Sequence, residues 1–162
     1  MTVSTTSTLA GPYRGDGVTK VFPFNFLVTS KEDITIYVTD VNTWATVEFH
    51  APNYSISGIG NPEGGTIISD HALQTHQIGV IEGSRPLTQN AVFNNQGAFY
   101  PKEYEKALDR MTFIAQDMSA RLDRCVQLPN SIVGMGYDLK LPKPVAGKAI
   151  GWSADGKSLV NI

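Results

Sequence analysis

The side chains that most often bind metal ions or transfer protons are few in this chain, and the spacing of its histidines does not define a site. His71 and His76 lie in a segment with the pattern of a loop followed by a strand, so they do not share a helix face. Asp70 is adjacent to His71 and could supply the carboxylate that a metal site would need, whereas His50 is distant. Because this ligand set is unspecific, we expect ordinary histidines and neither a metal nor a cofactor.

The acidic residues and the cysteine also give no catalytic set. Glu103 and Glu105 could be imagined as a general acid and base. The same holds for Asp16 and Asp40, but the sequence implies no cleft around either pair. Cys125 has no evident activating base and is better explained as a small buried hydrophobic residue. No glycine-rich loop precedes a helix, so a phosphate site is unsupported. We therefore predict a protein that is not an enzyme.

Length, composition and charge place the chain among globular proteins. Its 162 residues suit one medium domain or two small ones, and 41% apolar with 17% charged residues is typical of a folded chain. A net charge of −2 gives no electrostatic basis for binding nucleic acid or a membrane. The N-terminal "MTVSTTSTLAG" has neither the cationic region nor the apolar core of a secretory signal. A single cysteine excludes an intrachain disulfide and fits a reducing compartment.

Residues 12 to 98 show the period of β-strands. An apolar stripe occupies every second residue from Phe22 to Val28, and "DITIYVTDV" alternates again. Residues 33 to 50 are predicted to form a hairpin, "NYSISGIGNPEGGTIIS" two short strands, and "QIGVIEGSRPLTQ" a strand that breaks at Gly83. Pro23 places its strand at an edge or a bulge, because proline cannot donate to the ladder. Such short strands with glycine, proline and asparagine turns predict a small antiparallel β-sandwich or barrel-like domain.

Residues 99 to 128 are predicted to form a helix. Pro101 suits the first helical position, and Pro129 stops the helix. Within it, apolar residues recur at alternating spacings of four and three over about three heptads. This seam consists of Tyr104, Leu108, Met111, Ala115, Met118, Leu122 and Cys125.

Two interpretations of this helix stay open. The seam predicts a parallel helix that associates with copies of itself, whereas Phe113 and Ile114 widen the apolar surface and favour packing on the β domain of the same chain. Both can hold, with the seam on the assembly axis and Phe113 against the β domain. The residue types at the seam do not fix the number of helices.

The two ends of the chain show neither the periodicity of strands nor that of a helix. Residues 1 to 11 are rich in serine and threonine and are predicted to be an arm that is mobile or ordered by a partner. Residues 129 to 162 are predicted to be a linker in which Asp155-Gly156 turns a short hairpin. A lone hairpin is only marginally stable in water. We therefore expect it to need copies of itself or further chain after Ile162.

The tripeptide Arg14-Gly15-Asp16 could be an adhesion motif, a metal loop or a turn. A metal loop needs several oxygen ligands at close spacing, and Asp16 is alone. Asp16-Gly17 is a turn dipeptide placed directly before the β run from Val18. We therefore predict the entry turn of the first β-strand.

A series of blocks in this sequence resembles one protein family. The blocks are "GPYRGDGVTKVFPFNFLVTSKEDITIYV", "YSISGIGNPEGGTIIS", "SRPLTQ" and "YPKEYEKALDRMTFIAQDMSARLDR". Their order and distances across residues 11 to 127 resemble the N-terminal virion-anchoring domain of tail fibre and tailspike proteins of short-tailed bacteriophages. Each block alone is weak, but the series is specific. The closing "LPKPVAGKAIGWSADGKSLVNI" resembles the linker before their distal part.

The resemblance implies a homotrimer in the virion tail, assembled in the host cytoplasm. Its β domains would attach to tail tube, adaptor or nozzle proteins, with Arg14 and Arg85 as the candidate docking residues. The seam would be the trimer interface and would begin the shaft. A distal receptor-binding protein is a further partner, and neither nucleic acid nor membrane is expected.

The expected fold is therefore mainly β with one long C-terminal helix that forms a parallel trimeric coiled coil, followed by the linker and hairpin. The leading functional hypothesis is a structural anchor or adaptor that attaches a tail fibre or tailspike to the phage tail. The alternative is the head portion of a tailspike polysaccharide depolymerase whose catalytic domain lies beyond residue 162. A free carbohydrate-binding module is less favoured, because Phe22, Phe24 and Phe26 fall on core-facing positions.

Overall fold

The computed structural model describes residues 5–50, 53–88 and 101–162. The chain divides into two compact units, Met1–Arg124 and Cys125–Ile162. Residues 1–4 of the predicted arm, 51–52 and 89–98 of the predicted β region and 99–100 of the predicted helical segment lie outside the described residues.

Two antiparallel sheets form the β part of the first unit. Its strands are β1 (Leu9–Arg14), β2 (Val21–Phe24), β3 (Ile34–Asp40), β4 (Thr46–Phe49), β5 (Tyr54–Ser57), β6 (Gly65–Ser69) and β7 (Gln77–Gly83). One sheet has the order β1-β7-β3-β4 and the other the order β2-β6-β5. Short 3-10 turns such as Lys31–Asp33 connect some of the elements. The prediction of a mainly β, antiparallel domain is confirmed.

The core contains the alternating apolar residues of both sheets. Ile36 pairs with Ile81 across β3 and β7, and Phe22 pairs with Ile67 across β2 and β6. A slip of one residue would turn each of these side chains to the other face, so burial fixes the register. The buried cluster consists of Ala10, Phe22, Phe24, Phe26, Val28, Ile34, Ile36, Tyr54, Ile67 and Ile81.

Most strands occur where the sequence predicts them. β3 and β4 form the predicted hairpin, β5 and β6 are the two predicted short strands, and β7 ends at Gly83. The predicted stripe from Phe22 to Val28 is buried. β2, which contains Pro23, is an edge strand as predicted.

The strand β1 was not predicted. Leu9 and Ala10, which the sequence assigned to the arm, pair with β7. The register shifts between Ala10 and Tyr13, where Gly11 has a φ of 110°. This irregularity removes the alternation by which a strand is recognised in a sequence.

The predictions of a C-terminal helix and of a coiled coil are wrong. Helix α1 spans Pro101–Leu122, 22 residues in the middle of the chain, and a turn and a hairpin follow it. Its buried residues Phe113 and Asp117 contact Arg85 of the same chain. One side of the helix is therefore covered within the chain, and a coiled coil is not shown.

The second unit, Cys125–Ile162, is built on a hairpin of β8 (Ile150–Trp152) and β9 (Leu159–Asn161). The predicted turn is present, and Gly156 adopts a φ of 69° that favours glycine. The Ser153 hydroxyl donates a hydrogen bond to Asp155, which lowers the pKa of that carboxyl. All residues of this unit are described and none is buried. The unit therefore lacks a hydrophobic core of its own.

Candidate functional site

Helix α1 has two faces with different chemistry, and these faces are the candidate site. Its inner face carries Phe113, which is 3% exposed, and Asp117. With 3.6 residues per turn, Met111 and Ala115 each lie about 160° around the helix from Phe113. The apolar seam is therefore nearly opposite the face that contacts the β domain.

Arg85 is the residue on which the inner face of α1 docks. Its Nη1 atom lies 3.0 Å from Oδ1 of Asp117, and its side chain is 1% exposed. Its Nη2 atom donates a hydrogen bond of 2.6 Å to the carbonyl oxygen of Leu27. The guanidinium also lies 4.2 Å from the centre of the Phe113 ring, a cation–π contact. One side chain thus connects the helix, the segment after β2 and the segment after β7.

Two further sets of ion pairs lie near the contact between Arg85 and Asp117. Glu82 of β7 accepts hydrogen bonds from Arg121 at 3.3 Å and from Arg124 at 2.7 Å. Toward the start of α1, Arg110 lies 3.5 Å from the buried carboxylate of Asp33. Arg110 and Arg121 of α1, and Arg124 just after it, are therefore paired with carboxylates of the β domain.

The N-terminal segment also contacts α1. The side-chain amide of Gln116 donates a hydrogen bond of 2.9 Å to the carbonyl oxygen of Thr5, and the carbonyl oxygen of Thr8 accepts one of 2.6 Å from Gly83. A Cβ atom at Gly83 would lie 2.4 Å from Oδ1 of Asp117. Glycine is therefore required where this strand approaches the helix.

The outer face of α1 carries the predicted seam. Leu108 and Met111 are 64% and 67% exposed, and Met118 is 52% exposed. Tyr104, Ala115 and Leu122 are exposed as well. Contiguous exposed apolar residues are typical of interaction surfaces. Their role as a trimer interface stays a prediction.

Cys125 departs from its predicted environment. The residue is exposed, and it lies after the last residue of α1. The prediction that the helix continues through Cys125 is therefore wrong, whereas its place in a trimer interface, like that of the other seam residues, stays a prediction. The helix ends before it because the backbone turns at Asp123 and Arg124.

The two predicted docking arginines lie in different environments. Arg14 is exposed at the end of β1, whereas Arg85 is buried and bound to Asp117. A docking role for either residue remains a prediction, and the contacts of Arg85 are internal to the chain.

The residues considered for chemistry are dispersed. His50 is 3.5 Å from Glu48, and His76 is 3.6 Å from Asp40. Within residues 5–50, 53–88 and 101–162, no three histidine, cysteine or acidic side chains come together as a metal-binding group. No helix in the same ranges is long and apolar enough to cross a membrane.

Asp16 lies in a turn, as predicted for the Arg-Gly-Asp segment, but this turn joins β1 to β2 and is not the entry turn of the first strand. The Thr19 hydroxyl donates a hydrogen bond of 2.5 Å to one of its carboxylate oxygens, and the backbone amides of Val18 and Thr19 donate to the other at 2.8 and 2.7 Å. These bonds, led by that of the Thr19 hydroxyl, lower the pKa of Asp16 to about 2. The carboxylate is thus bound within its own loop.

Sequence reasoning missed the charged half of the site. Asp117 and Arg85 are 32 residues apart, and neither lies in a pattern that marks a buried ion pair. The one available signal was Phe113, whose position off the seam indicated a second contact face.

The structure defines a β domain with one helix, which packs on that domain through Phe113 and Asp117 and exposes apolar side chains on its other face. The chain is also similar in sequence to a known phage protein. It is 32% identical over 139 residues to the tail spike protein of Salmonella phage epsilon15. The match covers 85% of this chain but only 13% of that relative. No protein-family model matches the chain. The predicted relation to tailspike proteins is confirmed, whereas the anchor role stays a prediction.

Proposed function

We propose that the chain is a structural protein of a phage tail, the anchor or adaptor that joins a spike or fibre to the tail for host attachment. Its relation to a tail spike protein supports a location in the virion tail. The observation that carries the proposal is the arrangement of α1, which is tied to the β domain by the buried pair Arg85–Asp117 and exposes apolar residues on its other face. Such a helix can hold copies of the chain together while each β domain contacts the tail.

The assembly that fits this proposal is a homotrimer in which the outer faces of α1 meet. Leu108, Met111 and Met118 would be removed from water in each copy, and the burial of this apolar surface would favour the assembly. The second unit, which has no buried residue, would gain partners in the same assembly. Tail tube, adaptor or nozzle proteins and a distal receptor-binding protein are the proposed partners.

Light scattering coupled to size-exclusion chromatography on residues 1–162 tests the assembly step. We expect the mass of three chains at tens of micromolar. A mass of one chain at that concentration would exclude self-association and leave only attachment to the tail.

A second candidate is the head portion of a polysaccharide depolymerase. The observation that favours it is the coverage of the relative, since 87% of that tail spike protein lies outside the match, 100% minus 13%. Sequencing the reading frame past Ile162 separates the two candidates. A long β-helical repeat with paired carboxylates would favour the depolymerase, and a stop codon would favour the adaptor. We also propose that residues 1–162 act by binding and not by catalysis.

A further inference from the structure

The β domain has two ends, and helix α1 contacts one of them. Asp33, Glu82 and Arg85, which bind α1, lie at the start of β3 and the end of β7. The opposite end, here called the open end, comprises loops 15–20, 41–45 and 70–76, where β1 and β3 end and β7 begins. Backbone hydrogen bonds join these loops, from Gly17 to Leu73 at 2.9 Å and from Val41 to His76 at 2.8 Å.

An apolar cavity of about 320 Å³ lies between the two sheets and reaches the open end. Tyr13, Phe22, Val38, Val47 and Phe49 form much of its wall, and Leu73 of loop 70–76 borders it. Ser69, His71, Gln74 and Gln77 supply polar groups at this end. An apolar centre surrounded by a polar rim is typical of protein–protein interfaces. The cavity volume is at the lower limit of the range for small-molecule pockets.

Trp44 lies at the same end of the domain, in the turn between β3 and β4. Its side chain is 75% exposed, and its φ of 58° makes it the only non-glycine residue with a positive φ in the described parts of the chain. The turn is nonetheless well bonded, because Trp44 donates its backbone N–H to the carbonyl oxygen of Asp40 at 2.8 Å and Asn42 donates to the Asp40 carboxylate at 2.8 Å. The tryptophan is therefore presented to solvent on a preorganised turn, and tryptophan is enriched among the residues that dominate binding energy.

The charges of the open end restrict its occupant. Two cations and three carboxylates lie there, namely Arg14, Lys20, Asp16, Asp40 and Asp70. These charges leave an excess of one negative charge, because the hydrogen bonds to Asp16 lower its pKa and keep the carboxylate ionised. A surface without excess positive charge does not complement phosphate groups of a nucleic acid or anionic lipid. It complements an apolar protein surface with few charges.

We propose that the open end is the surface by which the chain attaches to the tail, and that its occupant is a loop of a tail protein. This loop inserts one bulky apolar side chain, a leucine or an aromatic residue, into the cavity and packs against Trp44. The proposal rests on the anchor function proposed above and names the face of the domain that carries it. Because α1 occupies the other end, both contacts can form in one molecule.

The test measures cosedimentation of the full chain with tails purified, without their spikes, from the phage that encodes it. Trp44→Gly removes the ring and gives the turn a residue suited to a φ of 58°, so folding is retained. We expect its affinity for the tails to fall at least about tenfold. The matched control is Trp152→Ala, which removes the other tryptophan, itself 53% exposed, and should leave binding within about twofold.

A cavity-filling variant tests the inserted side chain separately. Val47→Phe, at a wall residue that is 59% exposed, should reduce tail binding by a similar factor, whereas Val133→Phe in the second unit should not. Thermal melting verifies that each variant folds. If Val47→Phe does not fold, the tail binding of Trp44→Gly alone tests the proposal.

Three results overturn the proposal. Tail binding by both variants within about twofold of the unmodified chain would show that the open end is not the docking face. Unchanged tail binding of Trp44→Gly with lost binding of host polysaccharide would make this end a glycan site. Failure of the unmodified chain to bind tails would overturn the anchor function itself, and the docking face with it.

Discussion

The guanidinium of Arg85 and the carboxylate of Asp117 lie 3.0 Å apart and are both buried where α1 meets the β domain. A buried ion pair stabilises a fold only weakly in comparison with apolar side chains, but removing one partner leaves an uncompensated charge. We therefore expect the pair to act chiefly by fixing how the helix docks. The outer face of α1 is consequently presented in one defined direction.

Replacing Asp117 by leucine should destabilise the first unit by about 3–5 kcal/mol, because it leaves the buried guanidinium of Arg85 without its carboxylate partner. The double variant Arg85→Met with Asp117→Leu should recover most of that loss, since neither charge remains. Chemical denaturation of the three proteins measures both effects. The exposed Glu103→Gln serves as the control, with a cost below about 1 kcal/mol. Equal losses in the single and double variants would contradict the role of the pair.

Glu82→Gln should weaken helix docking in a manner that depends on salt. Its partners Arg121 and Arg124 are half exposed, so solvent screens the attraction. We expect a loss of about 1 kcal/mol or less at low ionic strength that shrinks as sodium chloride is added. Melting temperatures at several salt concentrations measure this. A loss independent of salt would point to packing and not to charge.

Met111→Asp should abolish self-association and leave the first unit folded. Met111 is 67% exposed in the single chain, so the carboxylate is solvated there and desolvated only in an assembly. Light scattering gives the mass, and circular dichroism verifies the helix. Met135→Asp, at a methionine that is 59% exposed outside α1, is the matched control. An unchanged mass for Met111→Asp would exclude the seam as the interface.

Asp16 should contribute stability at neutral pH that disappears in acid. Its pKa in the folded chain, about 2, is below the ordinary value of 3.8, so its contribution is fully present above 3.8 and is lost as the pH falls toward 2. Carboxyl carbon shifts measured against pH should show a midpoint near 2 for Asp16. Thr19→Val removes the hydroxyl that lowers the pKa most and should raise the midpoint. A midpoint near 3.8 in the unmodified chain would contradict the hydrogen-bonded turn.

Local periodicity was enough to predict most elements of the fold. Alternation located β3, and proline and glycine signals located the helix start at Pro101 and the turn at Asp155-Gly156. Such patterns work because a strand or helix with one buried face repeats its apolar residues at its own period. The sequence did not predict β1, because the bulge in this strand interrupts the alternation.

The sequence by itself determined the β domain, the helix, its exposed apolar row and the relation to tailspike proteins. It left open whether the helix packs on its own chain, since the same seam is compatible with both arrangements. Only the tertiary structure decided that point, by bringing Arg85 against Asp117 and against the ring of Phe113. The physical reason is that contacts between distant residues depend on how the sheets and helix are arranged in space, and periodicity along the chain carries no information about that arrangement.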